Sequence, residues 1–359
     1  MNILHLLQDL NIYGGTPKKI LDLGKYSKNN HHIYTWYRVF NIHDTNKIIK
    51  KFSKNNINVH ENYVGRNIFK HINEILKIVK KNNIQIIHSY FYFGEFLGYV
   101  IKKILPDVRF IISFVGSNNP NGLSKFFLKK IYNSCDIITY NSNYTKNSKI
   151  TCFPCLRNNK NFVLYNGIDF PRKISDVKIN ISTKIKLLSI GGLIEIKNHI
   201  ILIEAIKILK NISNKKFELK IAGDGPLFNI LSKYIVDNNL KSNIKLLGYS
   251  NSTEELIKDS MIYLHPCYKE GFGISVLEAM KHRKIILASN AGALPELIKD
   301  NHSGYLISPF DSKEWASKLL EISNNINNLE HVSKNAFNDG KKYFSLNNFV
   351  NNHDNKLYW

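Results

Sequence analysis

Acidic residues are scarce in this chain: 28 Asp and Glu stand against 50 Lys and Arg in 359 residues, a formal net charge of +22 at pH 7. No helix-turn-helix, zinc-finger or aromatic RNA-binding pattern accompanies the excess, so a nucleic-acid partner is not expected. Two explanations remain for it, the compositional bias of a chain rich in Lys, Asn and Ile, or attraction to an anionic membrane surface. Cysteine is limited to four residues, which fits a reducing compartment. Cys152 and Cys155 form one Cys-Phe-Pro-Cys pair, but a zinc site needs a second pair and Cys135 and Cys267 stand alone, so no metal is expected. No run of eighteen apolar residues occurs. The apolar opening Met1-Asn2-Ile3-Leu4-His5-Leu6-Leu7 lacks a preceding basic region and is broken by Gln8-Asp9, so it reads as a first strand rather than a signal peptide. A cytoplasmic protein, held at most peripherally at the inner face of a membrane, is the expectation.

Length allows two domains, and 43% hydrophobic content gives each a core. Strand-like runs at 84–88, 109–114 and 136–139, then at 186–190, 217–222, 261–265 and 284–289, alternate with amphipathic runs such as Ile68, Ile72, Ile75, Leu76 and Val79, which share one helix face. Such alternation predicts parallel sheets. The polar stretch 171–183 is the candidate linker, after the tight Asn-Gly turn of Tyr165-Asn166-Gly167-Ile168-Asp169. The expected division is a first domain over 1–170, a second over 184–341, and a tail over 342–359.

The richest chemistry lies in Glu270-Gly271-Phe272-Gly273-Ile274-Ser275-Val276-Leu277-Glu278. Ser275 followed three residues on by Glu278 predicts a capping box at a helix start. Gly271 and Gly273 let backbone amides approach a ligand, and the positive end of the helix favours a diphosphate. Tyr263-Leu264-His265-Pro266 upstream and 284–289 downstream read as strands, which puts the loop at a strand's carboxyl end, where open α/β sheets bind ligands.

This segment resembles the E-x7-E signature of retaining glycosyltransferase family 4, whose members have the GT-B architecture of two Rossmann-like doubly wound domains facing a central cleft. The Asn166-Gly167-Ile168-Asp169 stretch resembles the family's first-domain end, Ala222-Gly223-Asp224-Gly225-Pro226 its Gly-Asp-Gly-Pro turn, and Leu247-Gly248-Tyr249 the strand end near the nucleotide base. Gly14-Gly15-Thr16 after strand one matches a phosphate- or acceptor-facing corner, ahead of a helix expected near Lys18. After Leu187-Leu188-Ser189-Ile190-Gly191-Gly192, the family places an Arg and then a Lys that grip the donor diphosphate. Lys197 matches the Lys; Gly192 stands where the Arg is expected, so one bidentate cation is missing. The resemblance also implies that the tail, with Tyr343, Phe344, Phe349, Tyr358 and Trp359, returns to the first domain. In the family loop after E-x7-E stand Asn290 to Glu296, with Glu296 read as a helix cap.

The resemblance thus implies Glu270 and Lys197 as catalytic residues. Gly14, Gly15, Gly223, Leu247, Gly271, Phe272, Gly273, Ile274 and Glu278 join Lys197 as donor contacts, with Glu270 on the transferred sugar and Glu278 on the ribose. The family's usual cleft His is replaced, in this register, by Val115, leaving His88, Ser117 or Asn118 to position an acceptor beside the aromatic run Tyr90 to Phe93. His88 also has an ordinary packing reading. No Asp-x-Asp occurs, which suits transfer from a UDP- or GDP-sugar to a glycan or lipid-linked acceptor with neither metal nor cofactor. The rival readings are a catalytically weak nucleotide-sugar-binding protein, or a sugar-nucleotide epimerase on the same fold.

Overall fold

The computed structural model describes residues 1–11, 15–37, 42–65, 67–116, 124–172 and 184–359. They form two compact units, one of Met1–Gly167 with Leu346–Trp359, the other Ile168–Ser345. The candidate linker falls largely outside the described residues, only positions 171 and 172 being covered.

In the first unit seven strands are described: β1 (Asn2–Leu7), β2 (Asn30–Thr35), β3 (Ile57–Glu61), β4 (Ile86–Ser89), β5 (Arg109–Phe114), β6 (Ile137–Tyr140) and β7 (Lys160–Val163). They lie in the order β3-β2-β1-β4-β5-β6-β7, every pairing parallel, with Ile3 opposite Ile86 and Ile111 opposite Ile137. Both faces are covered by helices, which is why β1, β4 and β6 are buried nearly throughout rather than on alternate residues. One face packs Leu4, Leu6, Ile87, Phe110 and Ile112 over helix side chains such as Ile75 and Leu97. On the other, Ile3, Ile86 and Ile111 meet Leu346, Phe349 and Val350 of the carboxyl-terminal helix Leu346–Lys356.

A row of buried polar rings runs through that second face. His5 hydrogen-bonds His31 (2.9 Å) and Tyr90 (3.0 Å), and His88 bonds Tyr358 (2.7 Å) and Ser113 (2.6 Å). His353 bonds the Phe349 carbonyl at 2.8 Å. Mutual hydrogen bonding offsets part of the cost of that burial, with Nε2 of His31 and of His353 left without a partner among the described residues.

The second unit repeats the plan with six described strands: β8 (Lys184–Ile190), β9 (Lys216–Ala222), β10 (Ile244–Gly248), β11 (Ile262–His265), β12 (Ile285–Ser289) and β13 (Tyr305–Ile307). Their order is β10-β9-β8-β11-β12-β13, again all parallel. The core joins Leu187, Leu219, Ile262 and Leu287 to Leu202, Ile206 and the fully buried Trp315 and Leu319 of flanking helices. In each sheet the order reverses between two central strands, β1 and β4 in one, β8 and β11 in the other. Loops leaving those strands in opposite directions open a crevice at their carboxyl ends.

Candidate active site

The crevice of the second unit collects the charged residues singled out in the sequence. β8 ends at Ile190, and the chain passes through a short 3-10 turn, Glu195–Lys197. Its neighbour β11 ends at His265 and runs on to Glu270. The two loops are stitched by a hydrogen bond from the Tyr268 amide to the Ile196 carbonyl at 3.2 Å. As a result Lys197 Nζ donates to Glu270 Oε2 at 2.6 Å. His265 Nε2 lies 2.8 Å from the same oxygen and is the partner that sequence reasoning missed. Its signal was present as a His-Pro step at the end of a buried strand.

Burial alone would raise the Glu270 carboxyl, but His265 and Lys197 outweigh it and hold the group far below the usual carboxylate range. Lys197 is affected reciprocally: burial lowers its ammonium, Glu270 more than restores it, and the net direction is upward. At neutral pH the pair is therefore fully charged, its side chains 23% and 13% exposed. Cys267 lies in the same turn, and His265, Cys267 and Glu270 each bring a ligand atom within 4.8 Å of one another, so the donor types of a metal site do converge here. Glu270 Oε2 is already engaged by the Lys197 ammonium and the His265 imidazole. Burial raises the Cys267 thiol to about 11, so it stays protonated.

The predicted capping box does not form. The helix runs Ile274–Lys281, its N-cap is Gly273, and no side chain caps it. Gly273 has φ 106°, a left-handed conformation open to glycine, which starts the helix before Ser275 reaches the capping position. Glu278 therefore lies beyond the first turn, and the amino-terminal amides are left to a ligand or solvent. Phe272 is buried and meets the Phe344 ring at 5.9 Å, so only its backbone borders the crevice.

A second missed contributor is Gly292, in the loop after β12. With φ 60° it lies so close to Glu270 that a Cβ there would fall 2.6 Å from the Glu270 amide nitrogen and carbonyl oxygen. The Ala293 amide donates to that carbonyl at 2.9 Å, so this loop buttresses the glutamate from behind. Gly223 borders the crevice from β9 and is joined to β10 through a 2.8 Å bond from its amide to the Gly248 carbonyl. Leu247, just before Gly248, is 38% exposed. At Gly192 an added Cβ would meet only the Asp224 carbonyl, at 3.6 Å, so there is room for a side chain where the cation is missing.

The first-unit candidates separate. Gly15 begins the helix Gly15–Tyr26, earlier than the expected Lys18, whereas Gly14, Ser117 and Asn118 lie outside the described residues. His88 is fully buried, with both ring nitrogens hydrogen-bonded within the polar row, which places it in the core rather than at an acceptor surface. Val115 lines a pocket of about 330 Å³ together with Gln8, Trp36, Tyr92 and Phe93 at the carboxyl ends of β1, β2, β4 and β5. The aromatic run thus does border a cavity.

Two doubly wound parallel sheets in one chain, with a lysine–glutamate pair at the switch point of the second, agree with the GT-B architecture. Residues 171–339 match the family model described as glycosyl transferases group 1, and residues 41–172 match glycosyltransferase family 4. The chain belongs to glycosyltransferase family 4. An uncharacterised glycosyltransferase of Methanocaldococcus jannaschii is 26% identical over 351 residues, spanning 95% of this chain and 87% of its own. The capsular polysaccharide biosynthesis glycosyltransferase CapH of Staphylococcus aureus is 26% identical over 289 residues, 75% of this chain and 76% of its own. In fold, the chain is similar to Anabaena HepE, solved with UDP-glucose, at a TM-score of 0.80 and 18% identity over 100% of this chain and 99% of that one.

Proposed function

We propose that this enzyme moves a sugar from a UDP- or GDP-sugar to an acceptor hydroxyl with retention at the anomeric carbon, in the synthesis of a cell-surface polysaccharide or glycolipid. The observation that carries the reading is the Lys197–Glu270 pair at the switch point of the second sheet, beside a helix whose first amides no side chain caps. Lys197 and those amides neutralise the departing diphosphate, while the ionised Glu270 takes hydroxyls of the transferred sugar and Glu278 the ribose. In the transfer the bond from the anomeric carbon to the phosphate oxygen breaks, a bond to the acceptor oxygen forms on the same face, and the leaving phosphate oxygen takes the acceptor proton. Lys197 holds the diphosphate charge without a metal or cofactor. The UDP-glucose bound by Anabaena HepE and the capsular role in the name of CapH support the donor and pathway class. A cytoplasmic enzyme working peripherally at an anionic membrane face, on a glycan or lipid-linked acceptor, fits the +22 charge.

A second reading, a nucleotide-sugar-binding protein with weak transfer, is favoured by one observation, the unfilled space at Gly192. One experiment separates them: a thermal-shift screen against UDP-, GDP- and ADP-sugars, followed by proton NMR of the anomeric signal during turnover. Stabilisation of about 2.7 kcal/mol at a hundred times the dissociation constant identifies the donor. Turnover with an α-linked product from an α-linked donor supports transfer with retention; donor binding without turnover supports the second reading.

A further inference from the structure

The helix Ser124–Asn133 of the first unit carries an unusual outer face. Its inner positions Leu128, Ile131 and Tyr132 are buried, but Phe126 and Phe127 remain 69% and 43% exposed. Lys125, Lys129 and Lys130 are exposed beside them, and the helix has no acidic residue. Lys130 Nζ lies over the Phe126 ring, 5.1 Å from its centroid, and Lys125 Nζ over that of Phe153 at 5.7 Å, so cations and aromatic rings are interleaved on this face. Next to the helix opens a cavity of about 1010 Å³ lined by Lys125, Phe126, Lys129, Cys152, Phe153 and Pro154. Arg157, on the adjoining 3-10 turn Pro154–Asn158, adds another exposed cation.

We infer that this face is where the protein docks on an anionic lipid bilayer. The Phe126 and Phe127 rings enter the boundary between headgroups and acyl chains, and the lysines meet lipid phosphates. Charge argues against a second copy of the chain as the occupant, because a symmetric contact would set Lys125, Lys129 and Lys130 against their own images. The inference deepens the membrane-surface part of the proposed function, yet it concerns partition alone, which needs neither donor nor acceptor.

The test is co-sedimentation of the full chain with vesicles of phosphatidylglycerol and phosphatidylcholine, against phosphatidylcholine alone, at low and high salt. The wild type is expected to prefer the anionic vesicles and to lose that preference as salt screens the lysines. Reversing Lys125, Lys129 and Lys130 to Glu should weaken partition by about a hundredfold or more, from roughly fivefold per lysine. Phe126→Ser should weaken it by about tenfold or more without disturbing the fold, as the ring is already largely exposed. The inference is overturned by equal binding of wild type to both vesicles, by variants that partition like the parent, or by loss confined to Phe69→Ser on the helix Ile68–Lys81. UDP binding, followed in parallel by calorimetry, reports separately on the donor reading, so failure of one leaves the other standing.

Discussion

His265 Nε2 lies 2.8 Å from Glu270 Oε2, and Lys197 Nζ reaches that same oxygen from the neighbouring loop. A carboxylate held from two sides is oriented as well as ionised. Replacing His265 with Ala leaves Lys197 and the Cys267 thiol beside the carboxylate and gives the side chain more freedom to turn. A hydrogen bond to a charged group contributes about 1.5–3 kcal/mol, so the turnover number should fall by roughly tenfold to a hundredfold. The dissociation constant for UDP should stay close to wild type, because the diphosphate contacts are untouched. Steady-state transfer assays paired with UDP calorimetry check this; a loss of UDP affinity matching the loss of turnover would give His265 a donor-binding role instead.

Lys197→Met should act differently, since it removes the cation from both Glu270 and the diphosphate. The buried carboxylate is left with the imidazole, costing about 1–3 kcal/mol of stability at these part-exposed positions. UDP affinity should fall by at least about tenfold. Glu278→Ala is expected to weaken UDP binding without that loss of stability, whereas Glu270→Ala should chiefly lower turnover. Differential scanning fluorimetry with and without UDP distinguishes the three variants. Wild-type UDP affinity in Glu278→Ala would remove the ribose role from that residue.

The strands were legible because parallel sheets covered on both faces demand continuous apolar runs, as at 285–288, whereas β9, nearer the sheet edge, alternates apolar residues with Glu218 and Lys220 and was legible by its period of two. Lys197 and Glu270 were legible only through motif resemblance; periodicity says nothing about which loops meet. What escaped reading depends on long-range geometry. His265 looks like the end of a strand until β8 and β11 are seen side by side, and Gly292 looks like any loop glycine until its backbone is found against Glu270. The capping box failed for a local reason, because a glycine able to take φ 106° outcompeted Ser275 for the N-cap. His88 ended among buried rings because its hydrogen-bond partners, Tyr358 and Ser113, come from distant parts of the chain.

Gly292→Ala tests the buttress behind the site. Its φ of 60° is unfavourable for alanine, and the new Cβ would fall 2.6 Å from two backbone atoms of Glu270, so the loop must shift. The strain is worth about 1–3 kcal/mol. Turnover should drop together with the melting temperature. An alanine variant with unchanged turnover would show that the position of Glu270 does not depend on this loop.

Transfer should continue in excess EDTA, because Lys197 and the helix amides carry the diphosphate charge in the proposed mechanism. The convergence of His265, Cys267 and Glu270 makes the control informative. Activity lost in chelator and restored by a divalent cation would overturn the metal-free proposal. Cys267→Ser would then tell whether the thiol is a ligand of that metal.

The first unit should lose stability in mild acid. Burial drives the imidazoles of His5, His88 and His353 well below 6.5, with neighbouring histidines adding to the effect for His5 and His88 and Lys19 for His353. His31 is lowered to about 4, again by burial first, and Asp354 offsets part of the shift. A base with a depressed folded value binds fewer protons folded than unfolded, so its contribution is intact above pH 6.5 and is lost as pH falls from 6.5 toward 4. Each such histidine costs up to about 1.4 kcal/mol per pH unit in that window. Glu95, raised to about 7 by burial, pulls the other way by a single proton. The imidazoles outnumber it, so the first unit should lose several kcal/mol between pH 6.5 and pH 5. Because His353 and Tyr358 belong to the carboxyl-terminal segment, amides of the helix Leu346–Lys356 should lose hydrogen-exchange protection first, ahead of the strands β8 to β12. Protection in that helix that stays constant from pH 7 to pH 5, after correction for the intrinsic exchange rate, would show that the buried ring network does not couple to protons in this range.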